Sequence, residues 1–341
     1  KEVLPLSMAV TPELAAANEI SRVLLFPETS KVETFMKGRV ELVEFNLRDE
    51  SPLTGLSLAE VYQKFQIKIL VCAVKRGGQV YIPDGDFVLQ KGDKMHIAAA
   101  HQDLETFFRS LGRKNARVKK VLICGGGHVC FYLAAQLLQA GMQVKIIESR
   151  QERCEQLCEA LPKATIIHGD AADHDLLMEE GIGEADAVIA LTGMDEENII
   201  MSLFAKTQGV NKIVAKVNED SRAQMVEGLG IDSIVSAKSA TADAIMSYVR
   251  ARNNSYSSAN VETMYRLGGK VEAVEFIIKK ECKFTNVPLK DLPTKANYLI
   301  ACIGRKRKVI IPNGEDHLEV GDSVIVITKD HIINEFSDIL A

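Results

Sequence analysis

Residues Val121 to Cys130 read VLICGGGHVC. Four residues of strand character run into three glycines and then a histidine. In a doubly wound sheet the nucleotide sits at such a junction. One glycine makes the tight turn, another lets the backbone approach a pyrophosphate, and the helix that follows offers unpaired N–H groups and partial positive charge. Gly125 would make the turn and Gly127 the close approach, with Gly126 between them. Cys130 stands where the G-x-G-x-x-G fingerprint has its third glycine, which normally allows close helix–strand packing. It is small enough for that packing to survive with local adjustment.

The surroundings support this reading. Val121–Cys124, Val144–Ile147, Thr165–Ile167, Ala187–Leu191, Ile213–Val217 and Ser233–Val235 are short apolar runs, as buried parallel strands are. Helical stretches such as FYLAAQLLQAG, QERCEQLCEAL and NIIMSLFAKTQG lie between them. Six strands with right-handed crossovers make an α/β, Rossmann-like doubly wound parallel sheet. Glu148 closes the second strand, where an acid takes the ribose hydroxyls of an adenine nucleotide and disfavours a 2′-phosphate. HGDAAD, from His168, follows strand three, at the adenosine half. ALTGMDEENI, from Ala190, follows strand four, at the crevice. Asp195, Glu196 and Asn198 there stand at a helix start, where capping and charge complementarity are a reading as good as ligand contact.

Outside the central unit the chain repeats itself. VETFMKGRVELVEF at Val32 resembles VETMYRLGGKVEAVEF at Val261, and YIPDGDFVLQKGDKMHIAAA at Tyr81 resembles IIPNGEDHLEVGDSVIVIT at Ile310. PELAAANEISRVL from Pro12 matches AKSATADAIMSYV from Ala237 in its apolar positions. The order is therefore helix, small β-rich module, central unit, helix, small β-rich module. Each module carries strands, such as Val40–Asn46 and Val324–Thr328, and a short helical stretch, LAEVYQKF in the first and LKDLP in the second. QDLETFFRSLG and HIINEFSDILA read as closing amphipathic helices.

At 341 residues the chain suits several domains. With 41 Lys and Arg against 46 Asp and Glu, its net charge of −5 gives no electrostatic footprint for nucleic acid, and with no Trp it has few stacking platforms. No apolar run reaches the length of a membrane span. The seven cysteines are odd in number and scattered through apolar strands, which suits a reducing compartment better than a disulfide framework.

GGG after strand one, IIESR, GDA, ALTGMDEENI and the paired β-rich modules together resemble the RCK family, the domains that regulate potassium conductance, over essentially the whole chain. The resemblance implies the following organisation. Residues 1–33 are the tail and crossover helix of a first nucleotide-binding domain that lies mostly outside this chain, and 34–113 are a first RCK_C module. Residues 114–240 are a second, Rossmann-like RCK_N nucleotide-binding domain, 241–262 a crossover helix and linker, and 263–341 a second RCK_C module. It further implies Gly125, Gly126, Gly127, His128 and Val129 at the phosphates, Glu148 with Ser149 at the adenosine ribose, Asp170 and Ala171 at the adenine, and Thr192, Asp195 and Asn198 at the distal end. The ligand would be NAD(H) or ATP/ADP acting as an effector. The partners would be a membrane potassium-transporting subunit and further copies of the chain, on the cytoplasmic face of the plasma membrane.

A dehydrogenase is the alternative from another class. It needs an acid–base residue and a substrate-anchoring charge facing the nicotinamide. The flanking modules are small and offer no such cluster, so no catalytic residue is assigned. His168, Asp173 and His174 as metal ligands, and Cys154 with Cys158 as a metal or redox pair, are weaker readings, because neither set forms an ordered ligand pattern.

Overall fold

The computed structural model describes residues 8–47, 51–112, 117–226, 229–253, 259–267, 271–295, 297–329, 333 and 335–340. Helix α1 (Pro12–Leu25) precedes a small module of β1 (Lys31–Phe35), β2 (Val40–Asn46), α2 (Leu58–Phe65), β3 (Ile69–Arg76), β4 (Gln79–Tyr81), β5 (Lys94–Ala99) and α3 (His101–Ser110). The central unit runs β6 (Lys120–Cys124), α4 (His128–Gln139), β7 (Gln143–Glu148), α5 (Gln151–Ala160), β8 (Thr165–His168), α6 (His174–Glu179), β9 (Ala187–Ala190), α7 (Asp195–Thr207), β10 (Lys212–Lys216), α8 (Asp220–Val226), β11 (Ser233–Val235) and α9 (Ala237–Asn253). The second small module has β12 (Ala259–Leu267), β13 (Val271–Ile278), β14 (Tyr298–Arg305), β15 (Lys308–Ile310) and β16 (Ser323–Lys329).

Two compact units result. One comprises Lys1–Lys31 with Ala116–Ala244, the other Val32–Asn115 with Ile245–Ala341. In the first, six parallel strands lie in the order β11-β10-β9-β6-β7-β8, the doubly wound order expected from the alternation of strand and helix. The order reverses between β6 and β9, which places the switch-point crevice beside the glycine turn. Val121, Leu122, Ile123, Cys124, Ile146, Ile147, Val188 and Ile189 are buried, because helices cover both faces of such a sheet. Helix α1 buries Ala16, Ala17, Ile20, Val23 and Leu24, and Asn18 accepts a 2.7 Å hydrogen bond from Gln136 on α4. The buried ammonium of Lys212 donates to the Thr29 carbonyl and to Ser233 Oγ, which in turn donates to the Ser30 carbonyl. The segment after α1 is thereby tied to β10 and β11.

In the second unit the sheets run β1-β2-β5-β3-β4 and β12-β13-β16-β14-β15, the same order in both modules. Both carry a register irregularity at the same place, Val71/Ala73 in β3 and Ile300/Cys302 in β14. Both are pinned alike. Arg76 grips the buried Asp93 through Nε and an NH2 group, at 2.7 Å each, and donates to the Val88 carbonyl. Arg305 does the same with Asp322 and the His317 carbonyl. The modules share one apolar core in which Phe35, Met36, Leu42 and Cys72 meet Val271, Ala301, Cys302 and Ile325.

Two expected helices are shorter than the sequence pattern suggests. LKDLP forms only a 3-10 turn at Leu289–Asp291. Pro288 and Pro293 bracket it, and a proline disfavours helical geometry in the residue before it. In the closing segment a 3-10 turn covers Phe336–Ile339, burying Phe336 and Ile339. Residues 330–332, 334 and 341 of that segment lie outside the described residues.

Candidate nucleotide site

The glycine turn joins β6 to α4, and each of its three glycines is constrained differently. Gly125 has φ +104°, and a Cβ there would lie 2.9 Å from the backbone of Leu191 and Thr192, at the end of β9. Only glycine fits that close approach. A Cβ on Gly126 would meet Leu157 Cδ1 at 2.7 Å and Glu148 Oε2 at 2.9 Å. Gly127 is the N-cap of α4, with φ −64° and ψ −170°. Among the described residues a Cβ there would meet nothing within 4 Å. No side chain among them caps α4, so its first-turn N–H groups stay open toward that space. An open face over Gly127 and an uncapped helix N-terminus fit a nucleotide phosphate. His128 is exposed on the first turn, and Val129 and Cys130 are buried beneath it. Burial pushes the Cys130 thiol up to about 12, so it packs as a small hydrophobe where a third glycine was expected.

Glu148 ends β7 in parallel register with His168 at the end of β8. Its Oε2 accepts the Gly126 N–H at 2.8 Å, while Oε1 accepts the Arg150 N–H and Nε at 3.0 Å each. Burial alone would raise this carboxyl, but the bonds from Arg150 and Gly126, with the Arg150 charge, hold it below the usual carboxylate range. Ser149 is exposed, and its carbonyl lies 3.0 Å from His168 Nε2. Asp170 is exposed and accepts the Ala172 N–H at 2.9 Å. Ala171 is buried in the core under the sheet. The loops after β6, β7 and β8 therefore stand side by side at the carboxyl end of the sheet.

Across the switch point, Thr192 follows β9. Its N–H and Oγ1 donate to Asn198 Oδ1 at 2.8 and 2.9 Å. Asn198 Nδ2 donates to the carbonyls of Thr192 and Lys216, so this fully buried amide ties the end of β9 to the end of β10. Asp195 is 4% exposed. Its oxygens accept the N–H groups of Asn218 and Glu219 and the Asn218 side-chain amide, and Arg222 lies 3.6 Å away. Burial opposes its ionisation, but these donors and Arg222 hold its carboxyl below the usual range. Asp195 and Asn198 are thus struts of the crevice wall in this structure, and Thr192 is the half-buried residue they hold.

Three charged residues at the site were not singled out by sequence reasoning. Arg150 stands on Glu148. Arg153 donates to the Gly126 carbonyl at 2.7 Å and fixes the turn from below. Lys216 ends β10, with Nζ 3.5 Å from the Leu191 carbonyl. Burial lowers the Lys216 ammonium and Asp195 partly restores it, so a half-buried cation lies at the crevice. A signal existed for Arg153, because a cation in the first turn of a helix opposes the helix dipole and calls for a separate reason. No group of three or more His, Cys, Asp or Glu able to hold a metal occurs among the described residues. No helix among them is long and apolar enough to cross a membrane.

The TrkA-N domain family matches residues 121–237, and the TrkA-C domain family matches twice, at 42–112 and 273–341. A Trk system potassium uptake protein TrkA homolog of Archaeoglobus fulgidus is 31% identical over 330 residues, covering 97% of this chain and 73% of its own. The Trk system potassium uptake protein TrkA of Halomonas elongata is 31% identical over 333 residues, covering 96% of this chain and 71% of its own. Among solved structures, the GsuK RCK domain has a TM-score of 0.54 at 18% identity, covering 94% of this chain and 68% of that one. The GsuK channel bound to NAD has a TM-score of 0.54 at 18% identity, covering 94% and 56%. At such identity the likeness is one of fold.

Proposed function

The chain belongs to the TrkA family of Trk-system potassium uptake proteins, and from that premise we propose that it is a nucleotide-sensing regulatory subunit that gates a membrane potassium transporter. The observation that carries the reading is the open face over Gly127 beside the Glu148 carboxylate, at the carboxyl ends of β6 and β7. An adenine nucleotide, NAD(H) or ATP/ADP, would place its phosphates over Gly125, Gly126, Gly127, His128 and Val129. Its ribose would meet Glu148 and Ser149, and its adenine would lie near Asp170 and Ala171. Thr192, held by Asn198 and Asp195, would border the distal end. The GsuK channel, which shares the fold, has been solved with NAD, and the same class of ligand is proposed here.

In this reading the nucleotide is an effector that is not consumed. It shifts the balance between conformations of the assembled protein by no more than its differential affinity for them. The partner is a TrkH-like potassium-transporting subunit, and the protein assembles with further copies of itself, peripheral on the cytoplasmic face of the plasma membrane. The test is potassium flux into vesicles carrying the transporting subunit, with the full-length regulator added and NADH, ATP or ADP varied. The two subunits should co-purify, the flux should depend on the nucleotide, and the nucleotide should be recovered unchanged. Steady oxidation of NADH with a small-molecule substrate would favour a dehydrogenase instead.

A further inference from the structure

The acid at the end of β7 does not stand alone. Arg150, two residues on, is the N-cap of α5, and its guanidinium donates through Nε to Glu148 Oε1 at 3.0 Å. The Arg150 side chain is 70% exposed, whereas that of Glu148 is 7% exposed. Among the described residues the two terminal NH2 groups of Arg150 have no hydrogen-bond partner. The carboxylate is fixed from below by Gly126, so the mobile member of the pair is the arginine. Between them, Ser149 has its carbonyl against His168 Nε2 at 3.0 Å, which anchors the backbone on which Arg150 turns.

This arrangement bears on which ribose the site accepts. A lone acid at this position takes the 2′-hydroxyl and repels a 2′-phosphate, while a nearby arginine accommodates that phosphate. Here both are present. A guanidinium matches a phosphate in a two-pronged geometry that an ammonium cannot reproduce. When the exposed guanidinium swings away, the buried Glu148 carboxylate still accepts the Gly126 and Arg150 backbone N–H groups, so releasing Arg150 does not strand it.

We propose that Arg150 is a specificity-determining residue of the nucleotide site. It supplies the counter-charge for a phosphate on the ribose 2′-oxygen, so that Glu148 does not by itself exclude 2′-phosphorylated adenine nucleotides. The inference rests on the nucleotide-binding reading above and concerns only its selectivity. Glu148 favours the plain ribose, Arg150 offsets that preference, and removing either shifts the balance in opposite directions.

The experiment is calorimetric titration of NADH and NADPH into the wild-type chain, Arg150→Ala, Arg150→Lys and Glu148→Gln, with 2′,5′-ADP and 5′-ADP as smaller probes. Arg150→Ala should raise the ratio of the NADPH to the NADH dissociation constant by about tenfold. Arg150→Lys should fall between it and the wild type, and Glu148→Gln should lower the ratio. A thermal melt checks that the variants stay folded, as expected because Glu148 keeps the backbone N–H bonds from Gly126 and residue 150. A ratio unmoved by Arg150→Ala, or an equal loss for both nucleotides, overturns the proposal while leaving the nucleotide site standing. Failure of the wild type to bind NADH at all overturns the nucleotide reading and this inference with it.

Discussion

Glu148 Oε2 and the Gly126 N–H meet at 2.8 Å, so the acid expected to read a ribose also holds the glycine turn in shape. The carboxylate therefore has a structural role before any ligand arrives. Its ionised form is favoured in the folded chain, which places its folded pKa below the unfolded value. A depressed carboxyl contributes stability above its unfolded pKa, about 4.3, and loses it as pH falls through the folded value. In urea denaturation, Glu148→Gln should be less stable than wild type at neutral pH, and the gap should stay flat down to about pH 5 and close below the ordinary carboxylate range. A gap that widens in acid would contradict the assignment.

Gly125 is required by the fold itself. Its φ of +104° and the 2.9 Å approach of the Leu191 backbone leave no place for a Cβ. Gly125→Ala should cost about 2–4 kcal/mol, because neither the backbone of β9 nor the turn can retreat without breaking the parallel sheet. A thermal melt of the variant that coincides with wild type would show that the close approach is not a constraint.

The thiols should divide by burial. Cys72, Cys124 and Cys130 are each pushed up to about 12 by burial, while Cys158 is exposed. The thiolate is the reactive form. Alkylation at neutral pH followed by mass spectrometry should label Cys158 first and leave those three untouched until the protein unfolds. Labelling of Cys130 in the native state at a rate near that of Cys158 would mean that the turn opens far more than the structure shows.

The matched arginine–aspartate pins test the internal duplication. Asp93 and Asp322 are buried, so Arg76→Met or Arg305→Met would strand a carboxylate and should cost about 3 kcal/mol each. Because the two modules share one core, either variant should lower the unfolding midpoint of both together. Independent unfolding of the two modules, followed by site-specific probes, would contradict the shared core.

The sheet, the glycine turn and Glu148 were legible because each rests on local pattern. Short apolar strands, a glycine triplet and an acid at a strand end need no knowledge of distant residues. The duplicated modules were legible through Gly92-Asp93 and Gly321-Asp322, which recur at constant spacing. What remained hidden depends on residues brought together by folding. The need for glycine at 126 arises from Leu157 and Glu148, on other elements. Asp195 could be read as ligand or cap, and its partners proved to be amides of Asn218 and Glu219 in a loop more than twenty residues on. LKDLP carries helical pattern, but Pro293 at its end pushes Leu292 out of helical geometry and allows only one turn.

Calorimetric titration of NADH and ADP into wild type and Gly127→Asp tests directly whether the glycine turn holds a nucleotide. At an N-cap an aspartate is at least as good as glycine, and none of the described residues lies within 4 Å of its Cβ, so the variant should fold with a melting point at or above wild type. Its carboxylate would occupy the space proposed for the phosphates. Wild type should bind both nucleotides, and the folded variant should lose about a hundredfold or more in affinity. Equal binding to the two proteins would place the nucleotide elsewhere and leave the glycine turn a purely structural feature.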